Sequence, residues 1–347
     1  MKKLHWGIIG CGNVTEKKSG PAFYRLPETE LTAVMRRNRE KAADYARRHG
    51  VGKFYSDAGA LIGDPEVEAV YIATPPSSHA SLTLQALEKG KPVYVEKPMA
   101  ASYRECLEMI RVSQHTGTPL YVAYYRRAMA YFRKVKEILE QGAIGETRQV
   151  KLRLIRSARP EDKRQPLPWR LDVSVAGGGY FVDMGAHQID LLLFLFGRIA
   201  SWESSVANKG GLYEAEDYVE ASFRFAAGFT ADAVWYFTAP ETAAGPVNED
   251  WIEVTGSQGS LLFSTFTMEP IRLVTPAYEE VFAIPKPEVV EEPMIREISR
   301  AILSGDPFFN RQALEDAAEV TRIMEEIVRP YYAGGTDVTG KYGRNEK

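Results

Sequence analysis

The chain has 347 residues, of which 45% are hydrophobic and 26% charged, and its formal net charge is -3. That length suits two domains of ordinary size, and the charge balance argues against a nucleic-acid or anionic-membrane partner. Two cysteines, Cys11 and Cys106, are too few for a disulfide framework and fit a reducing cytoplasm. The N-terminus, Met1-Lys2-Lys3-Leu4-His5-Trp6, lacks an apolar stretch of signal-peptide length. The greasiest run, 189–196, contains Asp190 and falls short of the ~20 residues a membrane span takes. A cytoplasmic protein with no membrane or nucleic-acid partner is expected.

In chain order, Leu4–Ile9 reads as a short apolar strand, followed by strands at 31–35, 66–73, 92–95 and 119–123. Helical patterns lie between them at 40–49, 78–89 and 102–116, each followed by a glycine stop: Gly50, Gly90 and Gly117. Strands alternating with helices of this length imply βαβ units and a parallel, doubly wound sheet. The pattern changes after about Arg126. One helix at 131–140 precedes long segments with β-branched and aromatic alternation at 147–157, 199–208, 217–225, 228–237, 250–256, 260–266 and 271–275. These predict a larger, mainly antiparallel sheet. Helices at 291–303 and 311–328 close the chain, and the Gly-rich, charged tail 333–347 is expected to be loosely ordered. The division expected is an α/β cofactor domain over 1–123 and an α+β domain over 124–347.

Gly10-Cys11-Gly12-Asn13-Val14 follows the first strand and precedes a predicted helix. Gly10 permits a tight turn, and Gly12 lets the backbone approach a pyrophosphate at the helix N-terminus. Thr15 stands where the usual fingerprint has its third glycine. Such a loop is also found as a plain strand-to-helix turn, but its context favours a dinucleotide. The second strand ends in Val34-Met35-Arg36-Arg37-Asn38-Arg39, with no carboxylate to hold ribose hydroxyls. Guanidinium groups suit a phosphate dianion. NADP(H) is therefore expected, with Arg36 and Arg37 on its 2′-phosphate and NAD(H) as the lesser cofactor. A solvated basic turn is the alternative. After the third strand, Thr74-Pro75-Pro76-Ser77-Ser78-His79 places Thr74, Pro75 and His79 at the carboxyl edge beside the cofactor. Ser77 or Ser78 also reads as a helix N-cap, and His79 as a satisfied first-turn histidine.

Glu96-Lys97-Pro98 ends the fourth strand. An ammonium there can hydrogen-bond a reacting oxygen and stabilise developing alkoxide charge. Glu96 can position Lys97 or the cofactor. Asp183 and His187, four residues apart, share one helical face after Gly177-Gly178-Gly179, with Asp190 near the same stripe. The glycines permit close approach of backbone to a ligand. Histidine suits proton transfer near neutral pH, and Asp183 can orient it or bind a hydroxyl. Asp183 reads equally as an N-cap, and His187 as a satisfied core histidine. A third ligand of matching spacing is missing, so no metal is expected.

Taken together, these motifs, with Tyr124-Tyr125-Arg126-Arg127 after the fifth strand, resemble the Gfo/Idh/MocA oxidoreductases, the glucose–fructose oxidoreductase and inositol dehydrogenase group. The match spans nearly the whole chain. The resemblance implies a Rossmann domain followed by a domain with a large open sheet. It carries the family's active-site lysine onto Lys97 and its aspartate–histidine pair onto Asp183 and His187. It implies that Arg126, Trp169 and Arg170 border the nicotinamide, and that Tyr125 and Trp169 join the substrate contacts. Sugars, inositols or related polyols and ketones are the implied substrates, and dimers or tetramers through the open sheet face the implied assembly. Residues 35–45 and Trp169-Arg170-Leu171 are also similar to 1,5-anhydrofructose reductases, which favour NADPH. Two departures stand out. Tyr125 replaces a common asparagine, and Arg36 replaces an acidic or small residue. The loop 156–169, with Arg159, Asp162, Arg164 and Gln165, suits a hydroxylated or charged ligand, and a solvated loop equally. A non-catalytic NADP(H) sensor and an NAD-dependent glycosidase are the rival classes on this fold.

Overall fold

A computed structural model of the chain describes residues 2–306 and 311–334, so the expectation for the tail lies outside the described residues from 335 onward. In chain order the strands are β1 (Leu4–Ile9), β2 (Thr29–Met35), β3 (Lys53–Tyr55), β4 (Ala69–Ile72), β5 (Val93–Val95), β6 (Leu120–Val122), β7 (Thr147–Arg156), β8 (Ile199–Ala207), β9 (Tyr218–Phe225), β10 (Thr230–Tyr236), β11 (Asn248–Gly256), β12 (Ser260–Phe263), β13 (Ile271–Val274) and β14 (Glu279–Phe282). The α-helices are α1 (Asn13–Lys17), α2 (Gly20–Arg25), α3 (Arg39–His49), α4 (Ala58–Gly63), α5 (His79–Glu88), α6 (Tyr103–Thr116), α7 (Ala130–Glu140), α8 (Val173–Ala176), α9 (Ala186–Phe196), α10 (Glu292–Ser304) and α11 (Arg311–Gly334). They form two compact units. One comprises Met1–Met129 with Pro287–Arg322, the other Ala130–Lys286 with Ile323–Lys347.

The first unit holds a six-stranded sheet in the order β3-β2-β1-β4-β5-β6, every pair parallel. This is the doubly wound arrangement that binds nucleotides at the carboxyl edge. β4, β5 and β6 are buried at every position, as strands covered on both faces must be. β4 is shorter than the run 66–73 because Asp64 takes the next residues into a turn, accepting from Glu66 N at 2.9 Å. β3 escapes the sequence pattern because it is a three-residue, half-buried edge strand. Gly50 and Gly117 end α3 and α6 in the left-handed region, at φ 67 each, as the stop signals predict.

The contiguous division of the sequence at 123/124 does not place 287–322 with the first unit. The return of the chain rests on the apolar face of α10, where Met294, Ile295, Ile298 and Ala301 are buried. Trp6 Nε1 donates to Ser299 Oγ at 3.2 Å.

The second unit holds an eight-stranded sheet, β14-β13-β12-β11-β7-β10-β9-β8, antiparallel except for the β7/β10 pair. β9 shows the logic of a sheet with one wet face. Val219, Ala221, Phe223 and Phe225 are buried, while Glu220, Ser222 and Arg224 are exposed. On the buried side Trp235 meets Phe181 edge-on at 4.9 Å. Its indole N–H donates to Gln188 Oε1 at 2.6 Å, and Gln188 Nε2 donates to Thr265 Oγ1 at 3.1 Å. α9 is thereby keyed to the sheet by a buried, satisfied amide. β14 is the glutamate-rich edge, which the hydrophobic pattern cannot reveal.

Candidate functional site

The glycine loop is tied to the end of β2. Gly10 N and Cys11 N both donate to Met35 O, at 2.9 and 3.1 Å. Gly10 has φ 94, and a Cβ there would stand 2.7 Å from Ala73 O, so no other residue fits without strain. Gly12 differs. Its backbone is extended, and a Cβ would meet only Gly10 O at 3.7 Å. Protein packing does not require this glycine. Thr15, in the place of the third fingerprint glycine, latches the loop. Its hydroxyl accepts from Gly12 N and donates to Gly12 O, both at 2.9 Å. The close approach moves to Gly20, whose Cβ would fall 1.9 Å from Thr15 O. Asn13 and Val14 open α1, which gives way to α2 after Lys18-Ser19. Gly10→Ala should cost about 2 kcal/mol from left-handed strain alone, read as a lowered thermal midpoint.

Arg36 is half-buried and Arg37 exposed, at the carboxyl end of β2. Arg36 is close enough to Cys11 to oppose the burial that pushes that thiol up to about 11. Neighbouring arginines are engaged: Arg48 pairs with Glu16 and Asp44, and Arg39 lies over Phe54 at 5.2 Å. Among the described residues Arg36 and Arg37 have no carboxylate partner. Asn38 is occupied as the N-cap of α3, accepting from Lys41 N at 2.9 Å.

Beyond β4, Thr74 is half-buried and Pro75 exposed. His79 is wholly buried, with Nδ1 3.0 Å from Pro98 O and Nε2 2.8 Å from Thr74 O. Burial holds its pKa below the usual histidine range. The ring clasps the Thr74 turn to the Lys97-Pro98 turn, so His79 bears on a cofactor through the loops it joins, in keeping with the satisfied-histidine reading. Ser78 precedes α5 without capping it through its side chain; its hydroxyl turns back to Thr74 Oγ1 at 2.8 Å.

Under Lys97 lies a buried cluster. Tyr71 Oη donates to Glu96 Oε1 at 2.6 Å, and Tyr94 Oη donates to Glu291 Oε2 at 3.2 Å. Glu291 is buried, and burial with the neighbouring Glu96 charge holds its carboxyl well above the usual range. Two carboxyls in one dry pocket do not both carry charge readily, which favours the neutral form of Glu291. Glu96 Oε2 accepts from Lys97 N at 3.2 Å, which fixes the backbone that carries the lysine. Tyr125 is buried nearby. Burial raises its pKa, and the charges of Arg126, Glu291, Lys97 and Glu96 act on it. The Arg126 guanidinium stands 5.0 Å from the Tyr125 ring. Arg127 instead pairs with Asp316 at 2.8 Å. The first unit thus gathers Glu96, Lys97, Tyr125 and Arg126 at the carboxyl ends of β5 and β6.

The second unit gathers a separate set of residues. Trp169 is 46% exposed, and the Arg170 guanidinium lies 4.5 Å from its ring. Arg170 Nε donates to Asp183 Oδ2 at 2.8 Å. Asp183 sits in a single π-helical turn, Phe181–Gly185, leading into α9, so it is not an N-cap. Such turns concentrate at functional sites. His187 is buried in α9, edge-on to Phe266 at 6.1 Å. Gly178 and Gly179, before this turn, make room for protein. A Cβ on Gly178 would stand 2.3 Å from Val182 Cγ2, and one on Gly179 2.4 Å from Glu216 O.

Glu216 is the residue of this region that the sequence did not single out. It is fully buried, accepts from Gly179 N at 2.8 and 2.9 Å, and accepts from Tyr332 Oη. Burial pushes its carboxyl up to about 7. A folded-state pKa above the unfolded value means stability that is complete below about 4.5 and lost as pH rises through about 7. Glu291, shifted the same way, acts in the same sense. The thermal midpoint should therefore fall between pH 5 and 8 from these groups, and fall less steeply in Glu216→Gln. Parallel curves for the two proteins would contradict this.

Among the described residues no group of three or more His, Cys, Asp or Glu is arranged to hold a metal, and no helix is long and apolar enough to cross a membrane. Residues 4–124 match the model of the oxidoreductase family with an NAD-binding Rossmann fold, and residues 132–262 the C-terminal domain of the same family. The chain is 36% identical to Oxidoreductase P35 of Formosa agariphila, over 93% of this chain and 98% of that protein. It is 30% identical to a 1,5-anhydro-D-fructose reductase of Ensifer adhaerens, over 78% and 79%. A levoglucosan dehydrogenase solved with NADH and levoglucosan shares the fold, with a TM-score of 0.80 at 24% identity over 94% of this chain and 96% of that one. Two domain models in order and a relative matched end to end leave one assignment: the chain belongs to the Gfo/Idh/MocA family of NAD(P)-binding oxidoreductases.

Proposed function

We propose that the protein is a cytoplasmic, NADP(H)-preferring oxidoreductase of a sugar, polyol or related carbonyl compound. The observation that carries the cofactor choice is the pair Arg36 and Arg37. They stand at the end of the strand whose last carbonyl, Met35 O, holds the glycine loop, and neither has a carboxylate partner among the described residues. Two guanidiniums at this place match a ribose 2′-phosphate. The cofactor, when bound, supplies or accepts hydride at nicotinamide C4.

The remaining work falls to the chain. Lys97 donates a hydrogen bond to the substrate oxygen and stabilises negative charge as it develops there. His187 takes the hydroxyl proton in oxidation and returns it in reduction. Asp183, held by Arg170, orients the substrate or His187. Tyr125 and Trp169 contribute substrate contacts, and Thr74, Pro75, Glu96, Arg126, Trp169 and Arg170 border the cofactor. The sugar assignment is supported by the 1,5-anhydro-D-fructose reductase relative. Copies of the chain associate through the exposed sheet face, where Trp202, Val234 and Trp251 are only half-buried.

The test is a screen of aldoses, ketoses, anhydrosugars and inositols with NADP+ and NADPH, following nicotinamide absorbance. Turnover with one class supports the reading. Tight cofactor binding with no turnover on any class would favour the sensor.

A further inference from the structure

Arg156 is a buried cation without a counter-ion. It is the last residue of β7, where Val150, Leu152 and Leu154 already face the core, and it continues that buried row. Only 7% of it is exposed. Its Nε and Nη2 are both buried and have no hydrogen-bond partner. These two nitrogens form the side edge of the guanidinium. Arg111 and Arg322 use the same edge in this chain to grip Glu108 and Glu319 bidentately.

The nearby carboxylate does not fill this role. Asp162 is fully buried, but it accepts from Tyr180 Oη and from Arg159 N at 2.9 Å. The guanidinium packs instead against aromatic rings, 4.3 Å from Tyr180 and 5.0 Å from Phe237. A second guanidinium, Arg159, lies 5.6 Å from the Tyr180 ring and adds to the positive charge. Burial, with Arg159 beside it, pushes Arg156 down to about 10, still charged near neutrality. A buried, charged donor pair with no acceptor costs stability unless something supplies one.

The position bears on function. Arg156 packs on the ring of Tyr180, the residue that immediately precedes the π-helical turn carrying Asp183. We infer that Arg156 is the recognition site for a carboxylate on the substrate, and that the sugar the enzyme acts on is a sugar acid. The planar, two-oxygen acceptor that matches a guanidinium edge is a carboxylate. A phosphate would draw on more than one fully committed cation, and Arg159 is half-exposed with a carboxylate neighbour in Glu161 at 3.8 Å.

This inference rests on the oxidoreductase reading, and the experiment separates the two. Initial rates are measured with NADP+ on matched pairs: glucose and glucuronate, galactose and galacturonate, with glucose 6-phosphate as a third arm. The wild type is expected to prefer the uronate by about 10- to 100-fold in kcat/KM, carried by KM. Arg156→Gln is expected to erase that preference while leaving the rate on the neutral sugar within about threefold, and Arg156→Lys to restore part of it. The wild-type comparison needs no variant, so a variant that fails to fold does not shield the inference. Turnover of neutral sugars at or above the uronates would overturn the carboxylate site and leave the oxidoreductase reading intact. A preference for glucose 6-phosphate would overturn the choice of carboxylate. Equal losses on acid and neutral sugars in Arg156→Gln would assign the residue a packing role only.

Discussion

Lys97→Ala should lower kcat by about 100- to 1,000-fold on any substrate that the wild type turns over, the range for loss of one donor to a developing oxyanion. His187→Asn should lower it by about 100- to 10,000-fold. The Kd for NADPH should stay within about threefold in both. The reasoning separates two roles of the Glu96-Lys97 turn. Its backbone is fixed by Glu96, which takes Tyr71 Oη and Lys97 N, two bonds that do not use the ammonium. Removing the ammonium therefore leaves the support in place. Glu291→Leu should behave differently. It removes the acceptor of Tyr94 Oη and the neighbour of Glu96, so it should lower both the thermal midpoint and kcat, whereas Glu291→Gln, close in shape to the neutral acid, should retain most of both. Full turnover in folded, cofactor-bound Lys97→Ala or His187→Asn would remove these residues from the chemistry.

The second large effect concerns cofactor choice. Arg36→Ala combined with Arg37→Ala should weaken NADPH binding by about 100-fold and leave NADH binding within about threefold. Each charge-assisted hydrogen bond to a phosphate is worth about 1.5–3 kcal/mol, and NADH lacks the phosphate that would receive it. The loop itself should be undisturbed, because Gly10 and Cys11 are held by the backbone of Met35 and not by either guanidinium. Equal weakening for both nucleotides would mean that the arginines support the loop rather than read the phosphate.

What the sequence made legible was local. The alternation of apolar runs with glycine-stopped helices gave the parallel sheet, and inward–outward alternation gave the antiparallel one, because each pattern is the direct trace of which face is buried. The glycine loop was legible as a turn for the same reason: Gly10 answers a backbone need that no other residue meets. The room expected for a ligand at 177–179 is taken by protein at Gly178 and Gly179, since a sequence does not say what approaches a glycine. In the structure Val182 and Glu216 do. The π-helical turn at Asp183 was invisible because its extra residue leaves the four-residue spacing to His187 unchanged. Glu96 and Glu291 are 195 positions apart, and Arg156 and Tyr180 are 24 apart. No periodicity links such pairs, so buried partners and buried orphans emerge only from packing. His79 illustrates the limit from the other side. The sequence placed it at the right edge of the sheet, but only its burial shows that it works as a clasp.

The most direct measurement is a titration of the purified protein with NADPH and with NADH, following nicotinamide fluorescence. The account predicts saturable binding of both, with NADPH at least about tenfold tighter. Failure to bind either nucleotide would contradict it, and a preference for NADH would overturn the role given to Arg36 and Arg37.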